Sequence, residues 1–299
     1  MIDSNKKRYL NPETVAVLDS MLLRARLIVE GYIIGQHKSP FHGFSIEFAE
    51  HRSYEPGDEV RHIDWKLFAK TDRLYIKRFE EETNLRTHII LDISKSMMYK
   101  SSSISKLNFA NSLVAALTYL MIKQQDAVGL IKFSDVINAF VSPNSKPSHL
   151  NIILENLDDY KFGEDTQIES ILHKMAERIS KRGLIILISD LLDNPNTIIN
   201  GLKHFRHNKQ EIILFHLLDR NELEFDYNSP TKFIDMETSE KITTEPWHIR
   251  SNYKKMINNH QEFFRKKCQE NLIDYSPIIT DQNLDLCLTE YLKKRKKLY

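Results

Sequence analysis

From residue 87 onward the chain alternates short apolar runs with stretches of helical length, and this rhythm limits the fold more than any other feature. The runs 87–92, 126–133, 184–189, 211–218 and 273–279 read as strands. The stretches near 105–123, 147–157, 167–180, 194–206 and 247–271 read as helices, and a last helix near 283–296 closes the pattern. Strand-then-helix alternation points to an α/β architecture, a mostly parallel sheet with helices on both faces. Leu184-Ile185-Ile186-Leu187-Ile188 is apolar without interruption, as a strand covered on both faces is. The stretch 105–123 is apolar almost all round (Leu107, Phe109, Leu113, Val114, Leu117, Leu120, Ile122), which predicts a buried helix. Residues 222–246 break the rhythm and read as a short hairpin, with Thr238-Ser239-Glu240 near its turn.

The chain ahead of residue 87 is organised differently. Val15, Val17, Leu18, Met21, Leu22, Ala25, Leu27 and Ile28 recur at helical spacing, so a helix is expected over 12–34, ending near Gly31 or Gly35. Residues 36–84 are rich in His, Arg, Asp and Glu and contain Pro40 and Pro56. Two runs there alternate with period two, Phe44–Phe48 and Leu74–Phe79, as half-exposed strands do. The expected division is therefore 1–84, an N-terminal helix with a short β extension, and 85–299, the α/β domain.

Composition removes several function classes. A net charge of +1 supplies no field to recruit nucleic acid or an anionic membrane. No apolar run reaches about 18 residues, so no membrane span is expected. The first residues carry charge with no apolar stretch behind it, unlike a signal peptide, and a cytoplasmic location follows as the expectation. Cys268 and Cys287 have no metal-ligand spacing and read as free thiols. His37, His42, His51 and His62 lie in one block but lack the convergent spacing of a zinc site. The run Lys293-Lys294-Arg295-Lys296-Lys297 reads as a solvated helix end.

The chemistry concentrates at strand ends. Thr87-His88-Ile89-Ile90-Leu91 is a buried strand, and it delivers Asp92, Ser94 and Ser96 to one loop. A second carboxylate, Asp190, follows the strand 184–189. A further hydroxyl, Thr166, precedes the helix at 167–180. In open parallel sheets ligands bind at the carboxyl ends of strands. If the two strands are neighbours, five oxygen-bearing side chains share one rim. Oxygen donors suit a hard divalent cation such as Mg2+, with Mn2+ or Ca2+ as alternatives, and two carboxylates balance its charge. The bland alternative is that Ser94 and Ser96 cap the next helix and Asp190 sits in a turn. Spacing alone leaves both open.

These residues resemble the metal-ion-dependent adhesion site of von Willebrand factor A-like domains. A longer block, Arg52-Ser53-Tyr54-Glu55-Pro56-Gly57-Asp58 followed by Arg61-His62-Ile63-Asp64-Trp65, resembles the signature of the bacterial "domain of unknown function 58" family. Asp126–Phe133, Asp235–Thr238, Tyr253, Tyr291-Leu292 and Arg295 extend the likeness, which covers roughly residues 35–297. The resemblance implies a von Willebrand A-like (Rossmann-like) fold and Asp92, Ser94, Ser96, Thr166 and Asp190 as metal ligands. It also implies work beside MoxR-type AAA+ ATPases as an adaptor or chaperone-like partner, without enzymatic activity. Gly163-Glu164-Asp165-Thr166 departs from the common Gly-Gly-Thr pattern, so Thr166 is the weakest of the five. Within the signature block, Arg52, Arg61, Asp58 and Asp64 are expected to form a buried ion-pair network, and Trp65 to be core.

Three functions compete. A binding module would use Mg2+ to capture an acidic residue of a MoxR-type ATPase or its client. A phosphatase of the haloacid dehalogenase type also places an Asp after its first strand, but it needs a second acid two residues on, where this chain has Ser94. A P-loop enzyme lacks its Gly-x-x-x-x-Gly-Lys-Ser/Thr motif here. A scaffold with a vestigial metal site is the third reading.

Overall fold

The structure is a computed structural model, and it describes residues 20–36, 51–54, 65–77, 85–157, 168–236 and 240–298. In chain order the elements are α1 (Met21–Gln36), β1 (His51–Ser53), α2 (Trp65–Thr71), β2 (Tyr75–Lys77) and β3 (Arg86–Asp92). A 3-10 turn over Lys95–Met98 leads to α3 (Lys106–Lys123), β4 (Ala127–Phe133), β5 (Ile137–Asn144), α4 (His149–Leu157), α5 (Ile168–Arg178) and β6 (Leu184–Ser189). Then come α6 (Pro195–His207), β7 (Glu211–Leu218), α7 (Arg220–Glu224), β8 (Thr231–Ile234), β9 (Lys241–Thr244), α8 (Pro246–Glu270), β10 (Asp274–Ile279) and α9 (Asp285–Leu298).

Six strands form one sheet in the order β10–β7–β6–β3–β4–β5. Every pairing is parallel except β4 with β5, which runs antiparallel at the edge. The predicted α/β architecture, a mostly parallel sheet with helices on both faces, is the one observed. Side chains of each central strand alternate between two apolar layers. Ile89 and Leu91 join a cluster with α1, α3, α4 and α9, and Ile90 joins one with α5, α6 and α8. Both layers exclude water, which is why β6 is apolar from Leu184 to Ile188 and β3 from Ile89 to Leu91.

Several details differ from the sequence reading. β5 was not expected. Its residues are mostly half-exposed and it contains Pro143, so neither an apolar run nor strict alternation announces it. α1 packs into the core of the sheet: Ala25, Ile28, Val29 and Tyr32 are buried in the same cluster as α3, and the Tyr32 hydroxyl lies 3.3 Å from Thr289 Oγ1 on α9. Trp65 is 56% exposed, not core, and touches Phe68 edge-on. The basic run is not simply solvated. Lys294 is buried between Glu211 (2.7 Å) and Asp274 (3.1 Å), and Arg295 pairs with Asp126. The hairpin is present as β8 paired with β9, and β1 pairs with β2. Val15, Val17 and Leu18, the run Phe44–Phe48, His37, His42 and His62, and Asp58, Arg61 and Asp64 lie outside the described residues.

Candidate metal centre

The order of the sheet fixes where a ligand can sit. β3 is followed by β4 on one side, whereas β6, β7 and β10 add on the other, so the chain reverses its direction of growth between β3 and β6. A crevice opens at such a reversal, beyond the carboxyl ends of the two strands. Leu91 pairs with Ile188, so Asp92 at the end of β3 stands level with Ser189, and Asp190 follows one residue beyond it. The crevice is a cavity of about 400 Å3 lined by Asp92, Ser94, Ser96, Tyr99, Ser189, Asp190, Asp193, Glu222 and Asp235, with Ile168, Leu192 and Met236 as its apolar lining.

Asp92 is 3% exposed. Its Oδ1 accepts the backbone N–H of Ser94 at 2.9 Å, and its Oδ2 accepts the hydroxyl of Ser189 at 2.6 Å. Ser189 Oγ in turn accepts the N–H of Leu191 at 3.0 Å. Leu191 is a buried leucine at φ 54°, a left-handed conformation that a branched side chain disfavours. The turn that presents Asp190 is thus tied to Asp92 through one hydroxyl. Ser94 makes no capping bond to the following 3-10 turn; its hydroxyl lies 2.9 Å from that of Ser96. The geometry of the two serines is that of a paired hydroxyl edge on the cavity, not of a helix cap.

The electrostatics are those of buried negative charge. Burial and the proximity of Asp190 push the Asp92 carboxyl up to about 7, against the bonds from Ser189 and Ser94. Behind Asp190 stands Lys106, which the sequence reading missed. Its side chain is fully buried, and its Nζ lies 2.7 Å from Asp190 Oδ2 and 2.6 Å from Glu222 Oε1. Burial opposes the lysine's charge, but Asp190 and Glu222 together more than offset this and hold it protonated. Glu222 Oε2 accepts the N–H of Asp219 at 2.8 Å, completing a capping box at the start of α7.

Four of the five expected residues, Asp92, Ser94, Ser96 and Asp190, line this one cavity. Thr166 lies outside the described residues. Ser189, Lys106 and Glu222 were not anticipated. A lysine in the first turn of a mostly apolar helix was the visible signal for Lys106. The Asp219-Arg220-Asn221-Glu222 pattern marked a capping box but gave no hint of a second partner for its glutamate.

The donor set fits a hard divalent cation. Every polar group on the inner wall offers oxygen, and a carboxyl that retains its proton up to about 7 marks a site where added positive charge is favoured. Among the described residues, no three His, Cys, Asp or Glu side chains are arranged so as to hold a metal ion by themselves, so the fit depends on the serine hydroxyls beside the carboxylates.

Comparison with known proteins places the chain in a wider group. The sequence pattern of the family described as "Protein of unknown function DUF58" matches residues 50–263. The chain is similar to the uncharacterized protein Rv1480 of Mycobacterium tuberculosis, 23% identical over 219 residues that cover 72% of this chain and 68% of that protein. Among solved structures, an aerotolerance-related membrane protein from Bacteroides fragilis is 18% identical over 70% of this chain and 99% of its own, with a TM-score of 0.48. The SpRpn10 VWA domain is 12% identical over 69% of this chain and 94% of its own, with a TM-score of 0.39. Among the described residues of this chain, no helix is long and apolar enough to cross a membrane.

Proposed function

The chain belongs to the DUF58 family of proteins of unknown function, and from that membership and the rim geometry we propose that it is a divalent-cation-dependent protein-interaction module. The observation that carries this reading is the convergence of Asp92, Ser94, Ser96 and Asp190 on one cavity at the reversal point of the sheet. Asp92, Ser94 and Ser96, with Asp190 and Thr166, would hold Mg2+, with Mn2+ or Ca2+ as substitutes. A bound ion supplies an electrophilic position that an outside carboxylate can fill. The residues of this chain do the rest. Ser189 and the Ser94 N–H orient the Asp92 carboxylate, and Lys106 holds Asp190 in place. The partner supplies an acidic residue, and the family resemblance suggests a MoxR-type AAA+ ATPase or its client.

Binding is favoured over turnover by position 94. A haloacid dehalogenase-type phosphatase needs a carboxylate there, and this chain has a serine whose hydroxyl faces Ser96. Calorimetry with Mg2+ tests the reading on the wild type and on Asp92→Ala. Saturable binding that the substitution abolishes is expected, followed by magnesium-dependent retention of the ATPase in a pull-down. A wild type that retains the ATPase equally well in chelator would sink the cation mechanism and leave the scaffold reading.

A further inference from the structure

We propose that Lys106 is the specificity-determining residue of this rim, a built-in cation that sets how much charge a divalent ion has to neutralise there. The inference rests on the cation-dependent reading above and goes beyond it, because Lys106 belongs to neither strand end. Its side chain has no exposed surface, although it begins a helix whose other buried residues are mostly apolar and carry no charge. Burying an ammonium costs several kcal/mol unless it is well paired. The two carboxylates that pair it come from distant parts of the chain, Asp190 after β6 and Glu222 in α7.

The charge count is the argument. Asp190 and Glu222 with Lys106 between them sum to one negative charge, and Asp92 adds a second. These four side chains together carry the two negative charges that a divalent ion neutralises, and Asp193 and Asp235, which line the same cavity, add to them. Without the lysine the same positions would present three, one more than a divalent ion neutralises. Without Glu222 the lysine would cancel Asp190 outright, and one negative charge would remain for the ion. Both ends of the clamp are fixed. The backbone N–H of Lys106 donates to Tyr99 O at 3.1 Å, and Glu222 is locked in its capping box. The Asp219 that closes this box also accepts the N–H of Ser101 at 2.9 Å, tying α7 to the loop ahead of α3.

The test uses the full chain with Mn2+ as the probe, counting free ion by electron paramagnetic resonance at pH 8, and circular dichroism to check folding. Lys106→Met is expected to tighten Mn2+ binding by about tenfold and Glu222→Gln to weaken it by about tenfold, as one charge near a divalent ion does in a partly screened site. The double variant should return to within about threefold of the wild type, because its charge count is restored. A purely structural role moves both single variants in the same direction or not at all, and either result overturns the inference while leaving the cation reading intact. If Lys106→Met does not fold, Lys106→Arg and Glu222→Gln decide. Wild-type affinity in the former with weakened affinity in the latter is expected, and an unchanged Glu222→Gln overturns the proposal. A wild type that binds no Mn2+ overturns the cation reading and this inference with it.

Discussion

Asp92 is held where its neutral form is favoured, and this has a consequence for stability as well as for binding. Its carboxyl titrates near 7 in the folded chain instead of near 4. The folded state therefore takes up a proton that the unfolded state does not over that interval, and the cation-free protein loses stability as pH rises through about 7. Asp92→Asn should accordingly stabilise the cation-free protein at pH 8 by about 1–2 kcal/mol, after allowance for the poorer hydrogen bonding of an amide, with the gain gone by pH 4. Thermal melting in chelator at the two pH values checks this; a melting temperature that falls at pH 8 contradicts it. The same carboxyl makes cation binding weaken as pH drops below about 7, since ion and proton compete for it. The position of Asp92 was legible because a buried strand must end somewhere, and the residue after an apolar run meets the rim. Lys106 was not legible in that way. Its partners lie 84 and 116 residues away, and a single sequence carries no signal of such pairing.

At the level of elements, the strands covered on both faces were easy to read and the edge strand was not. β6 needs apolar side chains throughout because helices lie on both its faces, and its sequence shows it. β5 is bound by different demands. It pairs on one side only, its side chains are half in water, and the pairing is interrupted by a register shift between Val128 and Leu130. Gly129 occupies that irregularity. A Cβ there would stand 2.5 Å from Val141 O and 2.8 Å from Pro143 N, both backbone atoms of β5. Backbone in a paired strand cannot move aside as a flexible side chain does. Gly129→Ala should cost about 1–3 kcal/mol, as overpacking does, and loosen β5 from the sheet. Urea denaturation measures the loss, and faster amide exchange over 137–144 localises it; an unchanged midpoint means that β5 can shift without cost. The bulge was not legible because a glycine inside a strand pattern signals close approach without naming the neighbour.

Across the whole molecule the ends of the fold are joined by a buried charge. Asp126 precedes β4 with its side chain fully buried, and α9 reaches it from the far end of the chain. Arg295 Nε donates to Asp126 Oδ2 at 2.7 Å, and the Tyr291 hydroxyl donates to the same oxygen at 3.1 Å. Burial raises the Asp126 carboxyl above its usual range, opposed chiefly by Arg295. The sequence reading placed Arg295 in a solvated basic run, because a run of like charges says nothing about which member turns inward. Tyr291 and Arg295 lie beyond residues 50–263, the stretch that the family pattern matches. Removing the arginine leaves a buried carboxylate without its cation, which typically costs about 3–5 kcal/mol. Arg295→Met should show a loss of that size by urea denaturation at pH 8. The loss should shrink at pH 5, since a carboxyl without its cation retains its proton there and no longer buries a charge. Adding Asp126→Asn should recover most of the stability at pH 8 by removing the stranded charge, whereas a double variant no more stable than Arg295→Met would assign the loss to α9 packing alone. Cation affinity at the rim should be unchanged in both variants, because Asp126 lies at the start of β4 and the rim stands at the carboxyl end of the strand beside it.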